Sequence, residues 1–238
     1  MSTRIIVCGH GTTSHLGRSA LASLVNAIRR HAPGCEVVDA FVDVQQPLLA
    51  DVVAEISGPR VIVPLLLNHD CATAQLMNEV AADDPLVRVA PAMGPDWVLA
   101  EIGVRRLIEA GAKPSDTIVM VAPQADGSKA LADVSKAARL LSAVWGGPVH
   151  VGVVDGVGTP VEDALDVARA HSHRVVVSMY ALASGEGASA IGRLGADVVT
   201  APLLGAGAPD PRLVSLALER ARVLEAPGQV GSVIHTLT

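Results

Sequence analysis

The sequence predicts an α/β protein built as two tandem domains, each a doubly wound parallel sheet. Three observations carry this: strand-like and helix-like segments alternate along the chain, the strand-like runs are apolar on both faces, and the element order repeats once.

Arg4-Ile5-Ile6-Val7-Cys8 reads as a buried strand, and Gly9-His10-Gly11-Thr12-Thr13-Ser14 as the tight turn into a helix. Leu16, Ala20, Leu21, Leu24, Val25 and Ile28 then recur at helical spacing until Pro33-Gly34. Residues 36–42 form a second expected strand, and 47–56 a helix opened by Pro47 and broken at Gly58-Pro59. The fully apolar 61–67 is a third strand. Asn68-His69-Asp70-Cys71 is the loop before a helix over 73–82; 87–90 is a fourth strand, and 97–110 a helix stopped at Gly111.

The pattern restarts around Lys113-Pro114-Ser115-Asp116, which divides the chain into domains 1–113 and 114–238. Strands over 117–122, 149–154, 174–182 and 198–201 alternate with helices over 128–145, 161–170, 187–194 and 211–224, and 230–237 reads as a further strand. Val89-Ala90-Pro91 with Gly94-Pro95-Asp96 is echoed by Thr200-Ala201-Pro202 with Gly205 and Pro209-Asp210, and Pro47 by Pro160. A duplication explains this, and it sets two strand-end edges face to face with a ligand cleft between them.

Composition narrows the function. Phe41, Trp97, Trp145 and Tyr180 are the only Phe, Trp or Tyr residues, so the core is aliphatic and no base-stacking platform exists. A formal net charge of -6 also argues against nucleic acid. The opening apolar run is too short for a signal peptide and 61–67 too short for a membrane span, so a soluble, cytoplasmic protein is expected. Cys8, Cys35 and Cys71 lie in no CxxC pair, as free thiols in a reducing compartment would.

Parallel strands send their following loops to one edge, which gathers His10, Asp43, His69, Asp70 and Cys71. That mixture suits a borderline divalent metal or proton transfer near neutral pH. Gly9, Gly11, Thr12 and Asn68 share those loops and are the expected ligand-binding positions. The plainer alternative has Asp43 capping its segment, His69 and Asp70 solvated, and Cys71 a small buried hydrophobe. His15 is a minor candidate; His31, His150, His171, His173 and His235 fall elsewhere. Gly185-Glu186-Gly187 follows an expected strand but on the wrong strand for a dinucleotide fingerprint, and Asp126-Gly127-Ser128-Lys129 matches only the tail of a phosphate loop. No nucleotide is expected.

Gly9-His10-Gly11-Thr12, Ala40-Phe41-Val42-Asp43 with Pro47, Val63-Pro64-Leu65-Leu66-Leu67 and Val89-Ala90-Pro91-Ala92-Met93-Gly94-Pro95-Asp96 resemble the sirohydrochlorin chelatases of two-domain actinobacterial type. The second half, through Gly195-Ala196-Asp197-Val198-Val199-Thr200-Ala201-Pro202-Leu203 and Pro209-Asp210-Pro211-Arg212-Leu213, is similar to the C-terminal half of that family. The resemblance implies two flavodoxin-like, chelatase-like domains. It also implies a lyase that inserts Co2+ or Fe2+ into sirohydrochlorin or a related tetrapyrrole without ATP, on the routes to siroheme or cobalamin. His10 maps onto the histidine of the family's GHG opening, and Asp43 onto a carboxylate that is more often Glu. The family's second histidine falls at Ala72, so His69, three residues earlier, is the expected partner of His10 in catalysis and metal binding. In the second half Gly187-Ala188 stands where some members have another histidine. A tetrapyrrole is thus the expected partner, with the metal as co-substrate and the choice between monomer and homodimer open. The rival readings are a noncatalytic descendant that binds a tetrapyrrole or metal, and an enzyme using the same cleft on another substrate.

Overall fold

The computed structural model describes residues 4–69, 71–171 and 173–222. In the first half, β1 (Arg4–Gly9), β2 (Val37–Phe41), β3 (Arg60–Pro64) and β4 (Val87–Val89) alternate with α1 (His15–His31), α2 (Leu49–Glu55), α3 (Ala72–Ala82) and α4 (Trp97–Glu109). In the second, β5 (Thr117–Ala125), β6 (Val149–Gly156), β7 (Val175–Met179) and β8 (Val198–Val199) alternate with α5 (Ser128–Trp145), α6 (Val161–His171), α7 (Glu186–Gly192) and α8 (Pro211–Arg222). As the alternation predicts, the strands form two parallel sheets; each has four strands, in the orders β2-β1-β3-β4 and β6-β5-β7-β8. Helices cover both faces, which is why Ile5, Ile6, Val7 and Cys8 are all buried with no polar alternation.

The registers make the repeat explicit. Ile5 pairs with Val37 and Val61, and Ile118 with Val149 and Val176. The isolated parallel bridge Phe41–Leu48 recurs as Val153–Pro160. Pro123 therefore stands in the second half where His10 stands in the first, Gly156 where Val44 stands, and Gly187 where Ala72 stands.

The last helix of each half crosses to the other half. Leu107 of α4 lies in the core of Ile118, Met120, Ala138 and Val176, while Leu213, Val214 and Leu216 of α8 lie in the core of Ile5, Val7, Leu24 and Val61. Polar contacts follow the same two-fold logic. Arg220 on α8 donates to the Ala92 carbonyl at 3.0 Å and pairs with Asp96 at 2.7 Å. Arg106 on α4 donates to the Leu203 carbonyl at 2.9 Å, and Arg105 reaches Asp210 at 3.4 Å. Asp96 and Asp210 also receive the backbone N–H of Val98 and Arg212 at the starts of their helices, at 2.9 and 3.0 Å.

Several expected boundaries move. The strand read over 61–67 ends at Pro64, and that read over 174–182 ends at Met179, because in both cases the chain leaves the sheet to wall the space above the strand ends. β5 instead runs on to Ala125, since its pairing with β6 continues through Gln124–Asp155 and Ala125–Gly156. The strand read over 230–237 lies outside the described residues. No helix among those residues is long and apolar enough to cross a membrane.

Candidate functional site

The carboxyl ends of β1, β3, β5 and β7 look onto a cavity of about 640 Å³ between the two halves. His10 follows the last residue of β1 and lines it. The loop carrying His10 is pinned to the loop after β2. Its carbonyl accepts the Asp43 N–H at 3.0 Å, and the Thr12 N–H donates to Gln45 Oε1 at 2.8 Å. Gly11 sits at φ 102, and a Cβ there would overlap the Asp43 carbonyl oxygen, so this position requires glycine. Ser14 closes the turn by capping α1 through the Gly17 N–H at 3.2 Å. The His10 backbone is therefore held from both sides.

His10 Nδ1 lies 3.3 Å from Thr73 Oγ1, in the first turn of α3. In the tautomer that donates from Nδ1 to Thr73 Oγ1, this bond orients the ring and leaves the Nε2 lone pair for a metal ion or a proton. Asn68, Cys71, Ala72 and Thr73 line the same wall, as do Gly9, Gly11 and Thr12.

His69 is placed differently. Its backbone N–H and Nδ1 both lie on Asp133 Oδ2 of α5, at 2.9 and 3.1 Å. A carboxylate oxygen accepts, so Nδ1 carries a proton, and the side chain ties the loop after β3 to the second half. His69 is not among the residues that line the cavity. Asp43 is likewise exposed, uses Oδ1 to accept the N–H of the adjacent Val44 at 2.7 Å, and is not among the residues that line the cavity. Asp70 lies outside the described residues, and His15, exposed at the start of α1, is not on the wall. Among the described residues no group of three or more His, Cys, Asp or Glu side chains is arranged to hold a metal.

The opposite wall comes from the second half. Thr12 Oγ1 donates to the Ser184 carbonyl at 3.1 Å, joining the halves beside the cavity. Tyr180 donates its hydroxyl to the Leu67 carbonyl at 2.9 Å, over Gly94, where a Cβ would stand 2.5 Å from that oxygen and 2.7 Å from the phenol. Burial first, then the charges of Asp133 and Asp96, push the Tyr180 pKa up, so it acts as a neutral donor. At the position that corresponds to His10, Pro123 lines the cavity, and Gly187 packs on it so closely that a Cβ would be 2.6 Å from the Pro123 Cβ. Packing thus accounts for a glycine of the 185–187 run that invited comparison with a dinucleotide fingerprint, and the second half has an apolar ring where the first has an imidazole.

Thr73, Gln45, Asp133 and Tyr180 escape a sequence reading. Only Tyr180 carries a signal: it is the sole tyrosine and directly follows the apolar run of β7 at the cavity edge.

Residues 4–110 match the CbiX family model. Over this stretch the chain is similar to the CbiX family. The whole chain superposes on SirB from Bacillus subtilis with Fe3+ at a TM-score of 0.77 and 18% identity, over 95% of this chain and 96% of that one. SirB from Bacillus subtilis subspecies spizizenii in complex with cobalt matches at 0.71 and 17%, over 93% and 94%. CbiX, the terminal enzyme for biosynthesis of siroheme in denitrifying bacteria, matches at 0.65 and 15%, over 92% and 98%. At these identities the likeness shows the fold, and it extends the CbiX-type architecture over both halves. No curated protein matches the sequence. The chelatase family that the ordered segments resemble is thus the family to which the CbiX match points.

Proposed function

We propose that this CbiX-type protein is a chelatase that inserts Co2+ or Fe2+ into sirohydrochlorin or a related tetrapyrrole in the cavity between its halves, with His10 as metal ligand and base. The observation that carries the reading is His10 itself, at the carboxyl end of β1 on the wall of a cavity of about 640 Å³, with Nδ1 engaged by Thr73. That volume lies inside the range of roughly 300–1,000 Å³ usual for small-molecule sites. Solved relatives of the same fold carry Fe3+ or cobalt.

The chemistry asks little of the protein beyond positioning and proton uptake. A divalent ion entering the macrocycle replaces two pyrrole N–H protons, so M2+ and the free base give the metallated ring and two protons. A neutral imidazole can hold the ion before transfer and then take up one of those protons, and no ATP is needed for the step. His69, held on Asp133, positions the loop of Asn68 and Cys71 in this reading, and Asp43 fixes the turn behind His10. Ala72 occupies the wall position where the family resemblance puts its second histidine, and this favours, as second reading, a noncatalytic tetrapyrrole binder.

Anaerobic mixing of sirohydrochlorin with Co2+ or Fe2+, followed by absorbance, separates the two. Catalysed insertion that falls roughly 100-fold or more in His10→Ala, and only a few-fold in His69→Ala, supports the chelatase. Tight tetrapyrrole binding with only the buffer rate of insertion supports the binder. Absence of both overturns the tetrapyrrole reading.

A further inference from the structure

We propose that Val44 is a ligand-contacting residue of the cavity, an apolar shelf for the flat face of its occupant beside His10. The inference rests on the tetrapyrrole reading and adds a specificity-determining residue to it.

Val44 has φ 64, the one non-glycine residue at positive φ among those described. A β-branched side chain is disfavoured in that region by clash of its branches with its own backbone. The duplicated half solves the same turn without strain: Asp43-Val44 corresponds to Asp155-Gly156, and Gly156 sits at φ 99. Valine thus stands at the left-handed position in the half that carries His10, and glycine in the half that carries Pro123.

The strained turn is held by bonds within itself and by one to the loop of His10. Asp43 Oδ1 accepts the Val44 N–H at 2.7 Å, the Asp43 carbonyl accepts the Gln45 N–H at 2.7 Å, and Gln45 Oε1 accepts the Thr12 N–H at 2.8 Å. None of these bonds uses the Val44 side chain, which is 48% exposed and lines the cavity. Folding therefore gains little from the valine, whereas an occupant with an apolar face would bury it. Strain kept at one copy of a repeated turn, on a cavity wall, is the pattern expected of a binding residue.

The test uses the full chain and metal-free sirohydrochlorin, so that binding is read apart from turnover. Val44→Gly copies the second half, and Val44→Asn keeps side-chain bulk in a residue that tolerates positive φ while removing the apolar surface. Both variants are expected to unfold at the same or a higher urea concentration than the wild type and to bind the tetrapyrrole at least about tenfold more weakly, as loss of a buried valine contact implies. Affinity unchanged in both variants, with the wild type binding, overturns the role of Val44 alone. Lower stability of Val44→Gly overturns the claim that the turn is strained. A wild type that binds no tetrapyrrole overturns the functional reading and this inference with it.

Discussion

Replacing Gly17 by alanine sets helix propensity against packing, and the structure says which wins. Inside a helix, alanine in place of glycine ordinarily adds about 1 kcal/mol of stability. Gly17 lies in α1 where a Cβ would overlap the Ser184 carbonyl oxygen and stand 2.8 Å from Thr12 Cγ2. The obstacle is backbone, and it is held in place by the Thr12 hydroxyl at 3.1 Å. Overpacking at such a site costs about 1–3 kcal/mol, and a lost hydrogen bond about 1 kcal/mol more. The net effect is a destabilisation of about 1–3 kcal/mol, or a melting temperature lowered by roughly 3–10 °C for a chain of this size. Urea and thermal unfolding followed by far-UV circular dichroism measure it. Gly192→Ala in α7 is the control, because nothing lies within 4 Å of a Cβ there. Since the Ser184 loop walls the cavity, the proposed function adds the expectation that Gly17→Ala weakens tetrapyrrole binding. A Gly17→Ala protein as stable as the wild type, or more so, refutes the reasoning.

Two further outcomes follow from the crossed helices. The Asp210 carboxyl is held at about 2, against an ordinary 3.8, chiefly by its hydrogen bond from the Arg212 guanidinium. A depressed carboxylate stabilises the fold fully above the unfolded value and loses that contribution as pH falls through the folded one, so about 2 kcal/mol disappears between roughly pH 4 and pH 2. Asp210→Asn flattens this acid limb in urea titrations at several pH values; an unchanged limb removes Asp210 from the account. A fragment of residues 1–113 lacks α8, and with it Leu213, Val214 and Leu216 from the first half's core. At about 1.5–3 kcal/mol for each side chain, the loss is comparable with the whole stability of a typical domain, roughly 5–15 kcal/mol. The fragment is expected to show no cooperative unfolding transition, and a sharp one shows that α8 is dispensable.

The element order is legible because its signals are local. Strand-like runs such as Arg4–Cys8 and helical spacing such as Leu21, Leu24, Val25 and Ile28 are read within a few residues, and Gly and Pro punctuate between them. Strand ends are less legible: Leu65, Leu66 and Leu67 are as apolar as the strand before them, yet they line the cavity instead of extending the sheet. The site divides in the same way. His10 is marked by flanking glycines that only a tight turn explains, whereas nothing near His69 foretells Asp133, 64 positions away.

By itself the sequence determined the α/β alternation, the duplication and the place of His10 at a strand end, since periodicity and backbone freedom are properties of neighbouring residues. Only the tertiary structure decided that α4 and α8 cover each other's sheets, that Thr73 meets His10 while His69 turns to Asp133, and that Val44 is held where its repeat has glycine. Each of these depends on contacts or registers between segments far apart in the chain, which no local pattern encodes.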